Sequence, residues 1–231
     1  MNPLSPVAKV FVALTALTGA AVLGYGLVHF RIASLLEFFV LLALAVVASR
    51  LKVKLPGVHG TMSVNLPFFL MAAVKLSAPE ALVIACVGAV AQSLGRSRPV
   101  QTVFNAAALT NSVALAAWVS ATALQHQLVL PVAILAAGAA YFLGNTILMT
   151  LVMWLAEGER PIAIWARMFA LSFPYYLLSA TIAAVICGGI RDAGWTLALI
   201  VLVAMYLTYR SYRGYFAQPA EAKDTAKGAG T

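Results

Sequence analysis

Five amides, Asn65, Gln92, Gln101, Asn105 and Asn111, interrupt otherwise apolar helical segments between residues 63 and 124. A side-chain amide carries both donors and acceptors, so it suits a neutral heterocycle or an amide-bearing ligand. In hydrocarbon it is costly unless partnered, and it therefore points to a lined cavity or to a contact between helices. Gln101 and Asn105 stand four apart, on one helical face, with Phe104 next to Asn105; Asn111 lies roughly two turns further on. Tyr175 and Tyr176, directly after Pro174, have the shape to stack on an aromatic ligand, although such residues also anchor helices at the membrane interface. The candidate ligand-binding residues are thus Asn65, Gln101, Asn105, Asn111, Tyr175 and Tyr176. The competing reading of the amides is that they cap helices or join neighbouring ones.

Bond-making chemistry finds less support. There is no H-E-x-x-H zinc pattern, no G-x-S-x-G elbow and no phosphate-binding loop. His29, His59 and His126 fall in separate loops, so no metal site is expected. Glu37 is the one acid well inside an apolar segment, whereas Glu80 and Asp192 belong to turns, so no carboxylate pair is available for acid–base work. The sequence argues against an enzyme, implies no cofactor, and leaves binding.

These residues must be carried by membrane helices. Of the 231 residues, 63% are hydrophobic and 10% charged, against about a quarter charged in a soluble domain. So much apolar surface needs lipid as its solvent, and lipid admits only helices or closed barrels. Near-continuous apolar runs without strict alternation select helices, giving an all-α, polytopic membrane protein. Cys86 and Cys187 each sit in an apolar run and are expected as buried thiols without a disulfide. The net charge of +8 is dispersed over short loops, where it reports topology and not nucleic-acid binding.

Eight hydrophobic segments are expected, at 10–28, 32–48, 64–76, 81–94, 100–124, 130–156, 175–190 and 195–209. The third and fourth are short and read either as tilted spans or as a re-entrant hairpin. Between them, Ser77-Ala78-Pro79-Glu80 is a helix-start signal. Ala136, Ala140 and Gly144 lie four apart and permit close helix approach. Residues 162–173 are expected along the membrane surface, separate from the span that Pro174 opens. An amino terminus in the cytoplasm places twelve of the fifteen Lys and Arg inside and only Arg31, Lys75 and Arg191 outside, which predicts both termini cytoplasmic. Arg96 and Arg98, with Arg210 and Arg213 in the aromatic-basic collar at 209–216, read as membrane-surface or partner contacts. The polar tail, 217–231, is expected to be disordered.

The succession Ser63-Val64-Asn65-Leu66-Pro67, a short helix, a Pro-Glu turn, a second short helix, an Arg-rich turn and Val103-Phe104-Asn105-Ala106 resembles the vitamin-uptake-like sensor domain of bacterial signalling proteins. The ending Tyr209-Arg210-Ser211-Tyr212-Arg213 shares that likeness. That family is similar in turn to the S components of energy-coupling-factor transporters, which bind vitamins. The resemblance implies a six-helix binding bundle over 63–216, two extra helices and a loop ahead of it in 1–62, and a bacterial inner-membrane location. It also implies a vitamin-like small-molecule ligand and either a signalling or a transporter partner. The HD-GYP or GGDEF output domains that follow this domain elsewhere are not expected after Phe216, which casts the chain as a stand-alone sensor or an uptake subunit.

Overall fold

A computed structural model describes residues 5–54, 61–94 and 99–189, together with 203, 206, 207, 210 and 211. Among the described residues the chain forms seven helices: α1 (Pro6–Val28), α2 (Leu35–Arg50), α3 (Leu66–Lys75), α4 (Ala78–Ser93), α5 (Pro99–Gln125), α6 (Leu130–Glu157) and α7 (Pro161–Gly189). Between α2 and α3 lies an antiparallel hairpin, β1 (Lys52–Lys54) paired with β2 (Thr61–Ser63) in the register Lys52 to Ser63 and Lys54 to Thr61. Helices α1, α5, α6 and α7 are long and apolar enough to cross a bilayer. They expose large apolar side chains such as Val28, Trp118, Ile147 and Leu177, as lipid-facing helices do. The protein is a helical membrane protein.

Local chemistry sets several boundaries. The Ser77 hydroxyl accepts from the Glu80 N–H at 3.4 Å, and the Glu80 carboxylate accepts from the Ser77 N–H at 2.9 Å, forming the capping box that the sequence announces. Ser5 caps α1 and its hydroxyl donates to the Leu155 carbonyl at 3.0 Å, so the start of α1 lies beside the end of α6. Gly158, at φ 73°, closes α6 in the left-handed conformation that a Cβ disfavours. Cys86 and Cys187 are free thiols, half-buried and not fully enclosed as expected.

Two expectations are corrected. The segment 162–173 is not a separate surface helix, because α7 runs unbroken from Pro161 to Gly189 with Pro174 inside it. Proline removes one helical hydrogen bond, but membrane helices absorb that loss through neighbouring polar groups and packing. Here Met168 packs with Met153 and Ile164, and Phe169 and Phe173 pack on Phe142 of α6. The count of eight helices gives way to seven among the described residues, and the expected eighth, 195–209, lies largely outside them. The β1–β2 hairpin was not expected; the region 50–61 reads in sequence as a basic, polar loop.

Helix α3 is the innermost element. Every residue from Leu66 to Ala73 is buried, packed among α2, α4, α5, α6 and α7. Ten residues rise about 15 Å, half of a hydrocarbon core of about 30 Å, so α3 cannot cross alone. The expected Ala136, Ala140 and Gly144 stripe contributes through Gly144, which faces Ser112 of α5. A closer approach is made by Gly138, where an added Cβ would stand 2.8 Å from the Ala180 Cβ of α7.

Candidate functional site

The described residues 51–54 and 61–65, between α2 and α3, are not helical, and hydrogen bonds fix where that break sits. The Tyr175 hydroxyl donates to the Ser63 carbonyl at 3.0 Å and accepts from the Leu66 N–H at 3.2 Å. Asn65 donates through Nδ2 to the Ser49 hydroxyl at 2.8 Å, and the Ser63 hydroxyl donates to the Ser49 carbonyl at 3.2 Å. Tyr175 stands midway along α7, about 20 Å from either end by helical rise. The end of α2, the end of β2 and the start of α3 are therefore all tied to the middle of a spanning helix. Non-helical backbone at that depth is tolerated only where protein or a lined cavity satisfies it. Here Ser63, Val64, Asn65 and Leu66 are all buried.

A half-helix that begins at mid-depth can offer its amino-terminal N–H groups to an anion. Those of α3 are spent. Leu66 donates to Tyr175, Pro67 has no N–H, and Phe68 and Phe69 both donate to the Asn65 carbonyl, at 3.2 and 3.3 Å. The break is closed to anions by its own residues.

Beside it lies a cluster of phenols. The ring of Tyr176 is 5.6 Å from that of Tyr175 and 5.9 Å from that of Tyr141, which in turn is 6.5 Å from Phe69 of α3. Asn145, one turn beyond Tyr141 on α6, donates through Nδ2 to the Tyr176 hydroxyl at 2.9 Å. That hydroxyl keeps its own proton to donate, and the Asn145 carbonyl remains as an acceptor. Tyr141 is only 3% exposed, and its hydroxyl forms no hydrogen bond among the described residues. Apart from the distant Lys75 at the far end of α3, no charged side chain belongs to α3, to α5, to α6 before Glu157 or to α7 after Arg167. The cluster is neutral, aromatic and only partly satisfied.

The six sequence-nominated ligand residues separate into three groups. Asn65, Tyr175 and Tyr176 meet at mid-depth around the break. Asn111 is elsewhere, donating through Nδ2 to the Thr18 hydroxyl at 3.0 Å and the Thr15 carbonyl at 3.3 Å, which joins α5 to α1. Gln101 is exposed and Asn105 half-buried in the first turns of α5; Asn105 forms no side-chain hydrogen bond among the described residues. Arg96, Arg98 and Arg213 lie outside the described residues, and Arg210 is exposed. Glu37 is exposed in the first turn of α2.

Sequence reasoning missed Asn145, Tyr141 and Ser49. Asn145 carried the same signal as the nominated amides, a side-chain amide within a long apolar run. Tyr141 is four residues before it, and that spacing alone puts the two on one face. Compared with protein-family models, curated proteins and solved structures, the chain matches none.

Proposed function

We propose that this protein is an integral membrane small-molecule-binding protein, acting as a sensor or as an uptake subunit, with its ligand seated at mid-depth between α6 and α7 beside the helix break. One observation carries the reading. Tyr141, Asn145 and Tyr176 converge in an uncharged part of the bundle with hydrogen-bonding capacity left over. Polar groups unspent at such depth are expensive unless something partners them. Asn65 and Tyr175 serve by holding the adjoining break in place. The likeness to vitamin-uptake-like sensors and S components supports the same class. The excess of Lys and Arg on one side supports an inner-membrane topology with both termini cytoplasmic.

The test is the thermal stability of the detergent-solubilised chain across a panel of vitamins and related neutral metabolites. A ligand that occupies the site raises Tm in a concentration-dependent way, and Tyr176→Phe or Asn145→Ala moves that rise to higher ligand concentration. A panel that shifts nothing in the unaltered chain removes this reading.

A second reading, a structural or assembly protein whose polar residues only join helices, draws on the α1–α5 contact. There the donor group of Asn111 is fully consumed by Thr15 and Thr18. It predicts that Asn145→Ala and Tyr176→Phe change stability alone, with no ligand-dependent term to lose.

A further inference from the structure

The cluster at mid-depth continues into a line of aromatic rings that leads away from it along α7. Trp165, Phe169 and Phe173 recur every four residues, so they share one face of the helix. The Trp165 ring is 5.1 Å from that of Phe169, which stacks on Phe173 at 4.7 Å and 12°. Phe142 of α6 bridges the line to the site, with its ring 5.8 Å from Phe173 and 4.8 Å from Tyr176. Trp165 lies in the first turns of α7, near one end of this spanning helix, whereas Tyr176 is near its middle. Phe173, halfway along, is 39% exposed on the outer surface of the bundle. A continuous ring path thus joins the lipid-facing side of α7 to the partly satisfied phenols.

We propose that the site takes a planar, membrane-soluble ring carrying carbonyl acceptors, quinone-like in its chemistry, which arrives from the bilayer along this aromatic line. The proposal rests on the binding reading above and narrows it. Charge is excluded from the ligand because nothing near the cluster compensates it and the start of α3 has no free N–H to offer an anion. Two phenol hydroxyls, Tyr141 without a partner and Tyr176 with its proton unspent, call for acceptors, and ring carbonyls supply them. A flat ring stacks against aromatic side chains such as Phe142 and Tyr176 with little loss of side-chain freedom. A molecule of this kind is already concentrated in lipid, and the line opens on lipid.

The experiment uses the full chain in lipid nanodiscs, titrated with 2-methyl-1,4-naphthoquinone and, in parallel, with 2-methylnaphthalene, the same ring system without carbonyls. Intrinsic fluorescence quenching and the shift in Tm are both followed. The expected result is saturable binding of the quinone, at least about tenfold weaker binding of the hydrocarbon, and a loss of about three- to tenfold in quinone affinity for Tyr141→Phe. Tyr141→Phe keeps or raises the Tm of the unliganded protein, because it deletes a hydroxyl with no partner, and a purely structural role would not produce that combination. Tyr176→Phe serves if Tyr141→Phe fails to fold: the same loss of about three- to tenfold in quinone affinity is expected, with a small loss of stability because Asn145 loses its acceptor. Equal, non-saturable uptake of both probes, or unchanged quinone affinity in both variants, overturns the proposal. If water-soluble vitamins protect the protein while the naphthoquinone does not, this inference falls and the broader binding reading stands. If neither class protects, both fall.

Discussion

Two seams of this molecule use the same side-chain chemistry to opposite ends. Where α1 meets α5, Gly19 lies so close to Ala107 that an added Cβ would stand 2.7 Å from the Ala107 Cβ, and Asn111 donates to Thr15 and Thr18 one turn away. Where α6 meets α7, Gly138 lies against Ala180 just as closely, and Asn145 donates to Tyr176. Both seams pair a glycine contact with an asparagine, a common way for helices to associate in lipid. They differ in what is left over. The α1–α5 seam consumes the donors of its amide, while the α6–α7 seam adds Tyr141 and the free proton of Tyr176 and leaves them without full satisfaction. An asparagine within a membrane helix is therefore not in itself evidence of a site; the unspent capacity around it is.

The sharpest way to break the comparison is to attack the latch beside the second seam. Tyr175→Phe removes both hydrogen bonds to the helix break and leaves the Leu66 N–H buried without a partner, and we expect a loss of about 2–4 kcal/mol in unfolding free energy from denaturant titration in detergent. A loss below about 0.5 kcal/mol would mean that the break is held by packing alone. Next in size is Gly138→Ala, where the new methyl meets the Ala180 Cβ at 2.8 Å and something must shift; about 1–3 kcal/mol is expected. The same change at Gly19 should loosen α1, visible as faster proteolysis within α1, while the α3, α6 and α7 centre keeps its stability.

Smaller effects sharpen the contrast of function. Asn111→Ala should cost about 0.5–2 kcal/mol and leave the affinity of any ligand unchanged. Tyr176→Phe should cost less than about 1 kcal/mol in stability yet weaken ligand-induced protection in the same melting assay. If the two variants behave alike, the seams do not differ in role. Asn105→Ala, with no hydrogen bond among the described residues to lose, should change stability by no more than about 0.5 kcal/mol.

Features that depend on neighbouring residues in the chain were readable directly. The Ser77 to Glu80 capping box is a three-residue relation and forms as its spacing announces. The long apolar runs at 10–28, 100–124 and 130–156 emerge within helices of spanning length, because hydrocarbon leaves the backbone no other partner there. Pro174 was misleading: as a local rule it starts helices, but the packing of Phe169 and Phe173 on Phe142 carries α7 through it. Asn145 carries the same signal as Asn105, but it follows directly on the Ala136, Ala140 and Gly144 stripe, which reads in sequence as a packing face.

Composition and apolar periodicity alone determined that the chain lives in a bilayer as helices, since those properties are sums over residues and need no knowledge of neighbours in space. Tertiary structure alone decided that Asn111 is spent on α1, that Asn65 and Tyr175 bind the chain's own break, and that Tyr141 and Tyr176 come together with capacity to spare. The reason is physical: whether a polar group in lipid is satisfied depends on the rotation and register of the helix facing it, and neither is written in the spacing of its own segment.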